Sequence, residues 1–128
     1  MTLPQKFVAE SVGTFTLSFI GVGAICADQF LRAANQPGVG LVGIAAAHGL
    51  AIAIMVSAVG HISGGHLNPA VTIGVWVSRR IGTLEALLYW VAQLAGAILA
   101  AYLLRLLFAE DVWQPSKLGT PALASGFT

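Results

Sequence analysis

The stretch Gly60-His61-Ile62-Ser63-Gly64-Gly65-His66-Leu67-Asn68-Pro69-Ala70-Val71-Thr72-Ile73-Gly74-Val75-Trp76-Val77-Ser78-Arg79-Arg80 decides the fold. It reads as a polar, glycine-rich loop over 60–67 running into a helix over 68–78. Asn68 is a favoured N-cap, and Pro69 at the first helical position lacks an amide hydrogen that would have had no partner. Arg79 and Arg80 suit the negative end of the helix. Eleven or so residues at about 1.5 Å each extend about 16 Å, roughly half of a membrane's hydrocarbon core. Such a helix cannot cross. By length it fits a helix lying on the membrane surface equally well, but apart from Asn68 and Thr72 it is apolar all round as far as Ser78, and a surface helix needs a strongly polar face. A re-entrant half-helix fits the composition better. Its loop is tolerated at membrane depth only where the backbone faces protein or a water-filled cavity.

The rest of the chain supplies the membrane. Of 128 residues, 9% are charged and 57% hydrophobic, against about 25% charged in soluble domains. With a mean hydropathy of +0.85, neither an ordinary soluble monomer nor a disordered chain is compatible. A net charge of +1 offers no field for nucleic acid. The single Cys26 forms no internal disulfide and no cysteine metal cluster. With no nucleophile–base pair and no phosphate loop, the sequence gives no reason to expect an enzyme, a metal or a cofactor. Three runs are long and apolar enough to span: 7–27, interrupted by Glu10, then 41–59, then 84–108, with Glu85 and Arg105 near its ends. The expected fold is all-α and integral to the membrane, with three spans and one half-helix in a single repeat over 1–128. Glu10 argues against a cleavable signal in the first run. The linker from Asp28 to Gly40 reads as a turn, and 109–128 as a loop without periodicity. Small residues recur every four positions at Ala45, Gly49, Ala53 and Ser57, and again at Ala92, Gly96 and Ala100. Such stripes let helices approach closely, and the four-membered one on the second span is the stronger signal.

Ser63-Gly64-Gly65-His66-Leu67-Asn68-Pro69-Ala70-Val71-Thr72 resembles the signature of the aquaporin, or major intrinsic protein, family. Ala9-Glu10-Ser11-Val12-Gly13-Thr14-Phe15 resembles that family's first helix, Tyr89 with Ala92-Gln93 and Gly96-Ala97 its third, and Leu118-Gly119 its following loop. The resemblance implies one of the family's two inverted repeats. The second repeat, with its own Asn-Pro-Ala helix and the arginine of the outer constriction, has no match here, and Arg79 and Arg80 lie at the wrong end of the half-helix to replace that arginine.

The implied function is a passive channel for water and small neutral solutes such as ammonia, urea, hydrogen peroxide or glycerol. Asn68, Pro69 and Ala70 would form the central pore site, and His61, Ile62, Ser63, Gly64, Gly65, His66 and Leu67 the loop whose carbonyls accept from water. The half-helix amino terminus carries about half a positive charge, which at about 5 Å and an effective dielectric of about 20 repels a cation by about 1.7 kcal/mol. The family motif puts His48 at the outer selectivity constriction; otherwise it is a helix-contact histidine. The resemblance gives Glu10 and Gln93 supporting roles on the re-entrant backbone, whereas position alone would also allow Glu10 an interfacial role. His61 and His66 order the loop rather than bind metal.

The basic residues divide evenly between the two sides: Lys6, Arg79 and Arg80 against Arg32, Arg105 and Lys117. An inside amino terminus, in a cell membrane, therefore rests on the resemblance rather than on charge. The leading reading is the first half of a two-repeat channel, assembled as a homotetramer when complete. A half-channel pairing with an inverted copy or a separate partner is a second. A small proton-coupled exporter, working as a dual-topology dimer with Glu10 as coupling carboxylate, is a third, and a purely structural role in membrane contacts a fourth.

Overall fold

In the computed structural model, which describes residues 1–121, helices α1 (Leu3–Ala33), α2 (Gly40–Ser63), α3 (Pro69–Val77), α4 (Thr83–Leu107) and α5 (Glu110–Ser116) are followed by a 3₁₀ turn, Lys117–Gly119. No strand occurs among the described residues. Three helices, α1, α2 and α4, are long and apolar enough to cross a membrane. Their outward faces carry Leu41, Val42 and Leu106, each about four-fifths exposed, which suits a lipid solvent rather than water.

The helix ends differ from expectation where local or tertiary hydrogen bonds extend them. α1 starts four residues before 7 because the Thr2 N–H donates to Gln5 Oε1 (2.8 Å) and Pro4 lies in the first turn. It runs on through Asp28, whose Oδ2 accepts from Arg32 Nε (2.8 Å) and whose Oδ1 accepts from the Gly40 N–H (2.8 Å). One carboxylate thus ties the end of α1 to the start of α2. α2 continues to Ser63, so His61, Ile62 and Ser63 are helical and the loop shrinks to 64–68. Nor is 109–128 a plain loop. α5 buries Val112, brings Ser116 Oγ to 3.5 Å from Cys26 Sγ on α1, and places the Trp113 ring 4.4 Å below the Arg105 guanidinium. The last part of that expected loop, 122–128, lies outside the described residues.

The core lies between α1 and α4. Ala92, Gly96 and Ala100 of α4 are buried, and a Cβ built on Gly96 would strike the Ser11 carbonyl oxygen and come within 3.0 Å of the Phe15 nitrogen. These are backbone atoms, so the two helices touch main chain to main chain. The stripe on α2 behaves oppositely. Ala45, Gly49, Ala53 and Ser57 are exposed, and nothing lies within 4 Å of a Cβ on Gly49. The periodicity marked a helix-packing surface in both spans, but only the α4 stripe is used within the described chain.

Gly96→Ala is therefore expected to destabilise the bundle by about 1–3 kcal/mol in mixed-micelle unfolding, whereas Gly49→Ala should change it by less than about 0.5 kcal/mol. Equal effects would contradict this packing.

Candidate functional site

α2 ends at a glycine pair. Gly64 takes φ 92° and its N–H donates to the Gly60 carbonyl (2.9 Å), closing the helix in the left-handed conformation only glycine adopts readily. Gly65 follows at φ 62° and Leu67 at φ 51°. Left-handed backbone at a leucine is costly and persists only where its surroundings over-determine it. The Ser63 carbonyl has lost its helical partner and accepts instead from the Tyr89 hydroxyl of α4 (2.6 Å).

Glu10 holds this loop. Its carboxylate is fully buried and accepts four hydrogen bonds: Oε1 from Ser63 Oγ (2.6 Å) and the His66 N–H (2.9 Å), Oε2 from the Leu67 N–H (2.7 Å) and Gln93 Nε2 (2.8 Å). Every partner is a donor, which is what an ionised carboxylate satisfies and a protonated one does not. Gln93 Nε2 also donates to Thr72 Oγ1 (2.9 Å), whose own proton goes to the Asn68 carbonyl (3.2 Å). His66 Nδ1 also lies 3.1 Å from the Thr72 hydroxyl, and its ring stands edge-on to Tyr89. Leu67 is buried against Gly13, its Cγ 3.2 Å from where a Cβ would stand.

The half-helix then runs back the way the chain came. Trp90 Nε1 donates to the Pro69 carbonyl (3.2 Å) at one end of α3, and Trp76 Nε1 donates to Thr83 Oγ1 (3.2 Å) at the other. Residues further along α3 thus meet residues nearer the start of α4, so the two are antiparallel. The start of α4 in turn adjoins the start of α1 through the Lys6–Glu85 ion pair (2.6 Å). α3 therefore begins inside the bundle, about 10–15 Å along α1 and α4 at 1.5 Å per residue, and ends at the face where those helices begin. Asn68 caps it: Oδ1 accepts from the Ala70 N–H (2.8 Å), which fixes the amide plane and leaves Nδ2, without a partner among the described residues, to donate outward. Asn68, Pro69 and Ala70 are all exposed.

The residues expected in the loop divide into two groups. Gly64, Gly65, His66 and Leu67 follow the extended path, with the side chains of His66 and Leu67 turned into the core. His61, Ile62 and Ser63 do not belong to it. His61 is exposed on α2, Ile62 faces an apolar groove with Val8 and Val12 of α1, and Ser63 is buried on Glu10. The His61 and Ile62 carbonyls end α2 without an amide partner among the described residues, because the Gly65 and His66 N–H groups donate to Ser63 Oγ and Glu10 Oε1, while the Ser63 carbonyl is taken by Tyr89. His48 stands far from this centre, its Nδ1 2.9 Å from the Ile44 carbonyl. Sequence reading passed over Thr72, Trp90 and the structural role of Tyr89. An indole or hydroxyl donor facing a half-helix is a weak signal that becomes legible only with the partner in place.

Three spans and an interior half-helix whose cap faces outward define an integral membrane protein with a re-entrant segment. The chain belongs to the major intrinsic protein family, which it matches over residues 1–127. It is 43% identical over 123 residues to aquaporin Z of Photorhabdus laumondii subsp. laumondii, covering 96% of this chain and 49% of that one. It is 48% identical over 101 residues to aquaporin Z of Bradyrhizobium diazoefficiens, covering 78% and 40%. With aquaporin TIP2-3 of Zea mays it shares 48% over 102 residues, covering 79% and 41%. The chain thus spans about half the length of the curated relatives it matches.

Replacing Glu10 by Gln turns an N–H toward donors that the carboxylate now satisfies. Glu10→Gln is expected to cost about 1–3 kcal/mol for each buried donor left unpaired, read as lower unfolding stability together with faster amide exchange at His66 and Leu67. Unchanged exchange at those two amides would contradict the assignment.

Proposed function

We propose that this chain forms one half of a passive transmembrane channel for water and small neutral solutes, completed by a second repeat. The observation that carries it is the exposed Asn68 donor at the interior end of a half-helix whose loop is pinned by a buried carboxylate. Water crosses a narrow path cheaply only where its lost hydrogen bonds are replaced. On this flank the carbonyls of 64–67 are the acceptors, Asn68 Nδ2 is the donor, and Pro69 and Ala70 form the wall beside it. The positive end of α3 meets the same point and disfavours cations. His48 sits nearer the opposite face and sets the outer constriction, where an imidazole admits small polar solutes such as ammonia or urea as well as water.

The site is one-sided. The flank bearing Asn68 is open, so a pore needs a second wall, supplied by a second repeat in the same polypeptide or by a partner. The exposed Ala45–Gly49–Ala53–Ser57 stripe offers α2 a close helix contact with that half or with a neighbouring subunit of a homotetramer. The exporter reading draws less support. A coupling carboxylate must take up and release its proton where substrate can reach it, whereas Glu10 is sealed and spends both oxygens on four protein donors.

Stopped-flow osmotic swelling of reconstituted vesicles tests the reading. Vesicles holding this chain together with a second repeat are expected to pass water at least about tenfold faster than empty ones, whatever the pH gradient, and Asn68→Ala should reduce that flow. Solute flux that depends on a pH gradient and vanishes in Glu10→Gln would establish the exporter instead.

A further inference from the structure

We infer that Gly21 is a specificity-determining residue, because its bare backbone is the seat on which the His48 imidazole lies. The inference deepens the channel reading and rests on it for its functional consequence. His48 projects from α2 with Nδ1 held 2.9 Å from the Ile44 carbonyl, so one edge of the ring is anchored to its own helix. The rest of the ring lies on α1. A Cβ built on the buried Gly21 would stand 2.5 Å from His48 Cδ2 and 2.9 Å from Cε1, and in collision with Nε2. All three of its nearest neighbours are imidazole atoms; none is backbone.

This pattern differs from Gly96, where helix touches helix. At Gly21 the space a methyl would need is filled by the end of one side chain rather than by backbone. The ring is therefore the part that yields. Ordinary contact begins near 3.4 Å, so an added methyl displaces the imidazole by about 1 Å. α1 blocks one direction, and displacement follows the flank on which His48 is still part-exposed. In the channel that flank is the conducting side. Residues 21 and 48 thus set the aperture jointly: the size of residue 48 determines how much ring there is, and the absence of a side chain at 21 determines how far it is drawn back from the path.

The test measures urea and water permeability in vesicles holding the chain with a second repeat. Gly21→Ala is expected to lower the urea-to-water ratio at least about tenfold, a contrast within what one methyl group can impose in a fitted site. In a His48→Ala background the same change should leave the ratio unaltered, since no ring remains to be displaced. A wild-type ratio in Gly21→Ala, or an equal shift with and without the ring, would overturn the inference. Should Gly21→Ala fail to fold, the double variant Gly21→Ala/His48→Ala is expected to fold, and its failure would likewise overturn the seat. A readout independent of conduction separates this inference from the channel reading. In micelles, the His48 ring protons should show nuclear Overhauser contacts to the Gly21 α-protons, and their absence would refute the seat whether or not the pore conducts.

Discussion

A carboxylate with four donors is the interaction on which the rest depends. Backbone N–H groups inside a bilayer must find partners within the protein, because no water is there to supply them. A loop that leaves a helix at mid-depth and enters another violates that requirement at several residues at once. Glu10 resolves it from outside the loop, taking the His66 and Leu67 N–H groups on separate oxygens. A neutral amide would satisfy only some of these donors. The charge is tolerable in a membrane-spanning helix because it is consumed entirely by hydrogen bonds.

The surrounding architecture follows from bringing that carboxylate to the loop. α1 and α4 approach until backbone meets backbone at Gly96, which lets Gln93, one turn away, reach both Glu10 and Thr72. Tyr89 one further turn along α4 fixes the end of α2 at the Ser63 carbonyl. Three consecutive turns of one helix thus set the depth of the loop, and Trp90 on a neighbouring face sets the start of the half-helix. Asn68 Nδ2 has no such partner among the described residues and is left free at the exposed start of the half-helix. Rigid on one side and open at Asn68, the arrangement suits the pore wall proposed above.

The parts visible in the sequence are those governed by short-range chemistry. Three apolar runs announced three spans, and Asn68 followed by Pro69 announced the cap and first turn of α3. The end of α2 was misplaced by several residues because the group that caps Ser63 lies 26 positions away on another helix. α5 was missed because its seven residues carry Pro115 and too few apolar positions to show a period, and it is held by Cys26 and Arg105 rather than by its own pattern. The two small-residue stripes looked alike in sequence, yet one is buried on α1 and the other is open. Periodicity reports that a face is suited to packing, not what packs on it. Glu10 and Gln93 were legible as supports only through family resemblance, since nothing local ties residue 10 to residue 66.

The whole reading requires α3 to start inside the bundle and to end at the face where α1 and α4 begin. It is tested most directly by measuring depth with nitroxide labels on the exposed positions Ala70 and Val77, each introduced as a single cysteine in a Cys26→Ser background. Label 70 is expected near the bilayer centre and label 77 near the headgroups, on the same side as a label at Pro4. Equal, shallow depths at 70 and 77 would contradict it.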